Sequence, residues 1–237
     1  MTFADNFALG WVVRYDGRQE IVPPAMNRSR RKTTLFVVLA GVFVLAGWFF
    51  VRERVGAMRT RSAIKRLVEA APQRVPTARF TAMPGGVAVR AASAMRGRES
   101  DPLFKARFHD VESVSSAAPE GVKRGASAFA QAMARDWRAA VDQLDTAVAE
   151  RPNDAALWSD LAAARYERSV AFDDSESLLN ALVAVDRSRR IDPKNTNALF
   201  NRALILEQLG LSTVAAEAWR ACIDASEDPE ARRRLTT

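Results

Sequence analysis

Two runs of apolar residues at helical spacing lie between Pro193 and Ile223, near the end of the chain. Gly210 separates them, at a point where a helix C-terminus favours a residue that takes a positive φ. The residues that set the spacing are Leu199, Ala203 and Leu206 in the first run, and Ala215, Trp219 and Cys222 in the second. The pattern predicts a helical hairpin with one apolar face on each helix. Because one hairpin cannot bury both faces by itself, the pattern also predicts stacked neighbours.

An earlier part of the chain repeats this arrangement. Ala140, Leu144 and Ala147 are spaced like the apolar residues of the later hairpin, and Pro152 follows them. Pro152 and Pro193 are 41 residues apart, and each is expected to lie between two helices. The order of small residues, one large apolar residue and a closing proline resembles that of the tetratricopeptide family, whose unit has about 34 residues.

The resemblance implies three units, near residues 121–152, 153–193 and 194–227. The third unit matches the family best, at Ala203, Gly210, Ala215, Trp219 and Cys222. An ordinary helical bundle is the alternative interpretation of the same periodicity.

The second unit is about seven residues longer than the family unit. We place the additional residues near Glu167–Ser177, where Asp173 and Glu176 have the spacing of a capping box that opens a helix.

Residues 33–51 contain no charged side chain. At about 1.5 Å per residue such a helix is about 28 Å long, close to the hydrocarbon thickness of a bilayer. Trp48 lies near one end, where indole rings favour the membrane interface. The run predicts a single transmembrane helix; a cleaved signal peptide and a buried soluble helix are the alternatives.

Basic residues flank the run on both sides, so their count does not decide its orientation. A short basic tail resists crossing a membrane, whereas long domains cross largely regardless of charge. We therefore expect the N-terminus inside and the repeats outside the cytoplasm. Thirty arginines against five lysines suit a GC-rich bacterial genome. Together with the predicted transmembrane helix, this leads us to expect a location in a bacterial inner membrane.

The predicted fold class is all-α, with one transmembrane helix and a short α-solenoid of about three tetratricopeptide-like helix pairs. Residues 1–32 are an N-terminal tail, in which Asp16-Gly17 either turns a small hairpin or lies in disorder. Residues 52–118 are expected to be a basic juxtamembrane segment followed by an irregular linker, because Pro and Gly recur after Ala71. Residues 119–237 are expected to form the repeat domain.

Charge and residue counts exclude several kinds of chemistry. Residues 1–110 carry a net charge of +11 and residues 111–237 a net charge of −4, so the repeats lack the excess basic charge of a nucleic-acid-binding domain. His109 is the only histidine and Cys222 the only cysteine, which excludes a two-histidine metal site and an internal disulfide. We interpret His109 as an exposed polar residue and Cys222 as a buried, inert thiol. We expect no cofactor, no metal and no enzymatic activity.

The segments Pro152–Ala164 and Ala198–Leu211 resemble the repeats that precede the caspase-like peptidase domain of bacterial CHAT-domain proteins, with a fainter similarity at Val75–Phe80. The resemblance does not extend to the peptidase domain or to its Cys–His dyad, so we expect no peptidase activity from these residues. The resemblance implies a stand-alone or truncated sensing arm rather than a protease.

Two functions follow as hypotheses. The first is a membrane-anchored scaffold or adaptor that binds a peptide or a protein, and the second is a regulatory arm of a CHAT-type peptidase system whose enzyme is another chain. An assembly factor like the anchored repeat proteins of cytochrome biogenesis also fits the architecture.

Tetratricopeptide repeats usually bind through the first helix of each pair. This similarity implies six binding residues: Arg165, Tyr166, Asn197, Phe200, Asn201 and Arg202. Asn side chains pair with peptide backbone, Arg pairs with carboxylates, and aromatic rings cover apolar groups. The alternative is that Phe200 packs against the neighbouring repeat and that both asparagines are solvated.

Overall fold

A computed structural model describes residues 12–13, 21–22, 28–71, 75–83, 102–226 and 233, with side chains from residue 37 onward. The chain divides into two compact units, Met1–Val51 and Arg52–Thr237. The described part is helical, as predicted, apart from two short strands. These strands, Val12–Val13 (β1) and Ile21–Val22 (β2), pair antiparallel. The predicted turn at Asp16-Gly17 lies outside the described residues.

The first helix, α1, runs from Arg28 to Ala70. In the first unit its described side chains, from Val37 to Val51, are all exposed, and most of them are large and apolar. Among the described residues, no helix combines the length and the apolar character that crossing a membrane requires.

The second unit contains three helical hairpins in succession. Their helices are α3 (Glu120–Ala134) with α4 (Trp137–Glu150), α5 (Ala155–Phe172) with α6 (Ser175–Ile191), and α7 (Thr196–Gln208) with α8 (Ser212–Ser226). The first helices of successive hairpins, α3, α5 and α7, pack against one another. The apolar residues that predicted the last hairpin are buried, Trp219 and Cys222 among them.

The same two kinds of turn connect these helices. Within each hairpin one linking residue has a positive φ: Arg135 (62°), Asp173 (53°) and Gly210 (75°). Gly210 confirms the predicted turn, because a glycine takes this conformation without steric cost. Between hairpins, Pro152 and Pro193 lie in equivalent four-residue turns, as the spacing predicted.

Helices α5 and α6 share the additional length of the second unit, with 18 and 17 residues against 15 and 14 in α3 and α4. Helix α5 continues to Phe172, whereas the position equivalent to the end of α7 by the proline spacing is Glu167. Part of the additional length therefore extends α5 inside the predicted region, and the rest extends α6. The capping residue was predicted one position too early: Asp174 accepts a hydrogen bond from the Ser177 amide, while Asp173 is the residue with positive φ.

The region predicted to be juxtamembrane segment and linker contributes to the core of the second unit. Helix α2 spans Pro102–Ser115, and Arg66 of α1 forms an ion pair with its Asp110 at 2.7 Å. Residues 75–83, which we call the strap, carry no helix or strand, yet Phe80 is 1% exposed. The expected irregular backbone is found in the strap, whereas residues 102–115 of the same predicted linker form a helix. These residues are packed because their apolar side chains enter the same core as the repeats.

Candidate functional site

The strap lies against the first helix of every hairpin. It contacts α3 through Phe129, α5 through Asp160 and Glu167, and α7 through Phe200 and Asn201. We call the surface of α3, α5 and α7 that holds the strap the groove. Because α3, α5 and α7 pack side by side, residues from three hairpins reach one short extended segment.

Asn201 binds the backbone of a single strap residue at both of its polar groups. Its Oδ1 accepts the Arg79 amide at 2.7 Å, and its Nδ2 donates to the Arg79 carbonyl oxygen at 2.8 Å. The side chain is completely buried, and Nδ2 also lies 3.4 Å from the Ser159 carbonyl oxygen. A primary amide matches the donor and the acceptor of extended backbone, so this contact is independent of the side chain at position 79.

Two carboxyl groups of α5 bind further amides of the strap. Glu167 Oε1 accepts the Ala78 amide at 2.7 Å, and Asp160 Oδ1 accepts the Thr81 amide at 2.6 Å and its hydroxyl at 2.9 Å. The groove therefore holds the backbone amides of residues 78, 79 and 81 with side chains rather than with a paired strand.

Burial raises the pKa of both carboxyl groups. For Asp160 desolvation raises the pKa to about 7, opposed by the hydrogen bonds from Thr81 and reinforced by the charge of Asp154. For Glu167 desolvation also raises the pKa to about 7, opposed by backbone hydrogen bonds from the strap and by the charge of Arg135. Each group therefore changes its charge near neutral pH, with the strap amides in contact.

Two strap side chains contact aromatic rings of the groove. The Phe80 ring meets the Phe129 ring edge to face, with 5.7 Å between centroids. The Arg79 guanidinium carbon lies 3.7 Å from the centroid of Phe200, and Phe200 packs edge to face on Trp219 at 5.1 Å. A cation over an aromatic face and a buried aromatic pair are both attractive contacts.

Of the six residues predicted to bind, the structure brings Phe200 and Asn201 to the strap. The alternative interpretation is wrong in part, because Asn201 is buried rather than solvated. Phe200 packs on Trp219 of its own hairpin and also contacts Arg79. Tyr166 is buried in the core, and Asn197 is half-buried at the start of α7.

The two predicted arginines form ion pairs with other helices. Arg165 Nη2 lies 2.7 Å from Asp145 of α4, and Arg202 Nε lies 2.9 Å from Asp186 of α6. Each arginine is adjacent in sequence to a residue of the core or the groove. One step along an α-helix turns the direction of the side chain by about 100°. The two arginine side chains are therefore directed towards α4 and α6, the second helices of the preceding hairpins.

Sequence reasoning missed Asp160 and Glu167. A signal for Asp160 was present, because the 41-residue spacing of the prolines also relates Asp160 to Asn201. The faint similarity at Val75–Phe80 marked part of the strap but not the residues that bind it, since Arg79 and Asn201 are 122 positions apart.

A cavity of about 590 Å³ adjoins the end of the strap at Thr81–Met83. Lys65 of α1, Val122 of α3 and Asp160 of α5 are among its lining residues. Gly125 of α3 lets the helix approach, because a Cβ atom there would lie 3.2 Å from Asp160 Oδ2. Among the described residues, no group of three or more His, Cys, Asp or Glu side chains is placed to hold a metal ion.

No protein-family model matches the chain, and no curated protein matches it either.

Proposed function

We propose that the protein is a membrane-anchored interaction module whose tetratricopeptide-like repeats bind an extended segment of a protein or peptide. The observation that carries the proposal is the pair of hydrogen bonds from Asn201 to the backbone of Arg79. A groove that binds backbone through a side-chain amide accepts segments of varied sequence, which is what a scaffold or adaptor requires.

The recurrence of the hairpins supports a short solenoid of repeats. Three hairpins share a positive-φ residue at the internal turn, and two prolines occupy equivalent turns between hairpins. Stacked repeats bury a continuous core and present the first helices on one surface, and that surface is where the strap binds.

The N-terminal unit supports the membrane anchor. The chain has no charged residue from Thr33 to Val51, and the described apolar side chains from Val37 to Val51 are exposed. An exposed apolar stretch of this length favours lipid over water. We place the anchor in a bacterial inner membrane with the repeats outside the cytoplasm, because the short tail before the anchor is basic.

Co-purification from detergent-solubilised membranes tests this function. We expect the wild-type chain and the Glu217→Ala variant to retain the same partner, because Glu217 is exposed on α8, away from the strap contacts. We expect Asn201→Ala to lose that partner while the variant remains folded. Equal recovery of the partner with all three proteins would overturn the assignment of the groove.

A further inference from the structure

The strap is held in the groove by contacts that a bound peptide would also make. Its amides at positions 78, 79 and 81 donate to side chains on two helices, and its two largest side chains rest on aromatic rings. Asn201 also returns a hydrogen bond to the Arg79 carbonyl oxygen. A segment held in this way is exchangeable in principle, because another extended chain offers the same backbone groups.

Docking of the strap places two acidic groups in an apolar environment. Asp160 is 1% exposed and Glu167 is 9% exposed. The charged groups that act on them are Asp154, at the start of α5, and Arg135, at the end of α3. If the strap left the groove, these carboxyl groups would regain water. Release of the strap is therefore opposed by the loss of its contacts and favoured by the renewed solvation of the two carboxyl groups. These opposing effects reduce the free-energy difference between the state in which the strap is bound and the state in which the groove is empty.

We propose that the strap is a built-in competitor that occupies the groove until a partner segment carrying arginine followed by an aromatic residue displaces it. This inference rests on the proposed function, because it names the ligand class and the regulation of the same groove.

The groove defines the chemistry of that partner segment. The position equivalent to Ala78 must be small, since this residue is completely buried. The position equivalent to Arg79 favours a cation over Phe200, and the next position favours an aromatic ring against Phe129. Proline is excluded where the amides donate, and acidic residues are disfavoured beside Asp160 and Glu167.

Binding of a free strap peptide by the full chain tests the competition. The probe is a fluorescent peptide with the sequence of residues 75–83, and the readout is anisotropy. Arg79→Ala in the chain weakens its own strap but leaves the groove unchanged, so we expect this variant to bind the probe at least about fivefold more tightly than wild type. Phe80→Ala should increase binding further, because it removes the buried ring contact.

Two controls show where the probe binds. Adding Asn201→Ala to the Arg79→Ala chain should abolish the increase in probe affinity, because the side-chain amide that binds the peptide backbone is lost. A probe with alanine at both positions 79 and 80 should not bind to any of the chains. Arg79 is half-buried, so the Arg79→Ala chain tests the competition even if Phe80→Ala fails to fold.

The outcomes separate this inference from the function on which it rests. If the wild-type and Arg79→Ala chains bind the probe equally, the strap is not a competitor, although the groove still binds peptide. If neither binds the probe while a cellular partner is still lost with Asn201→Ala, the strap-like ligand class is wrong and the proposed function stands. A wild-type dimer in light scattering that Arg79→Ala converts to monomer would assign the strap to a second copy and overturn the partner proposal.

Discussion

At the scale of single residues, three consecutive positions of α7 have three different roles. Phe200 supports the Arg79 guanidinium, Asn201 binds the Arg79 backbone, and Arg202 forms an ion pair with Asp186 of α6. Helical geometry explains the difference, since successive side chains leave the helix about 100° apart. A binding residue in this groove is therefore defined by its position on the helix as much as by its type.

Replacing Asn201 with Ala should lower the free energy of unfolding by about 1–3 kcal/mol, because the backbone amide and carbonyl of Arg79 lose their partner in the groove. The matched control is Asn197→Ala on the same helix, where the side chain is half-buried and a change within about 0.5 kcal/mol is expected. Denaturant unfolding measures both. Equal losses for the two variants would contradict the role of Asn201.

The buried carboxyl groups predict a pH dependence of stability. The pKa values of Asp160 and Glu167 are about 7 in the fold, above those of the unfolded chain, so the folded state binds more protons between roughly pH 4 and 7. Their contribution to stability is therefore largest at low pH, is lost as pH rises through about 7, and is constant above it.

Denaturant unfolding at about pH 5 and about pH 8 measures this dependence. The Asp160→Asn, Glu167→Gln double variant cannot titrate at these positions, so the stability difference between the two pH values should shrink. The assignment would be refuted if the stability of the wild type rose from about pH 5 to about pH 8 and if the double variant showed the same pH dependence as the wild type.

At the scale of elements, the last hairpin is joined by an aromatic contact between its two helices. Trp219 of α8 is 2% exposed, packs on Phe200 of α7, and donates from its indole nitrogen to Glu207 at 3.2 Å. Because Phe200 also contacts the strap, packing within the hairpin sets the position of one wall of the groove.

Trp219→Ala should destabilise the protein by about 3–5 kcal/mol, since it removes a buried indole and leaves a cavity beside Phe200. Val214→Ala on the same helix is the control, because Val214 is 40% exposed and its truncation should cost less than about 1 kcal/mol. Unfolding followed by circular dichroism distinguishes them. A loss below about 1 kcal/mol for Trp219→Ala would show that this indole does not fill the core.

At the scale of the whole molecule, charge and polarity differ between the two ends of the chain. Residues 1–110 are basic and include the uncharged run at 33–51, whereas residues 111–237 have a net charge of −4. This division suits the proposed module, in which one end would associate with lipid and the other would present a binding surface.

The proposed anchor predicts that the full chain stays in the membrane pellet after washing with alkaline carbonate. Val44→Arg should weaken insertion by about 2.5–3.5 kcal/mol and release part of the protein. Met58→Arg is the control, because Met58 is an exposed apolar residue of the same helix outside the uncharged run. Recovery of the wild-type protein in the soluble fraction would contradict the proposed membrane anchor.

The sequence by itself determined the features that depend on neighbours within a few positions. Helical periodicity located the hairpins, Gly210 marked a positive-φ turn, and the proline spacing marked equivalent turns between hairpins. Burial of Trp219 and Cys222 followed from the same periodicity. The error at the capping residue, Asp174 rather than Asp173, is a shift of one position in a pair of adjacent acidic residues that are both suited to a cap.

Only the tertiary structure decided which segment fills the groove. Strap residues 78, 79 and 81 donate backbone hydrogen bonds to side chains 79 to 122 positions away, and no local pattern relates such distant residues. The same holds for Asp160 and Glu167, since an acidic residue on a helix is ordinarily solvated and becomes a buried acceptor only when amides are brought to it. The periodicity of α7 and α5 shows which residues share a face, but the partner of that face is set by the packing of the whole unit.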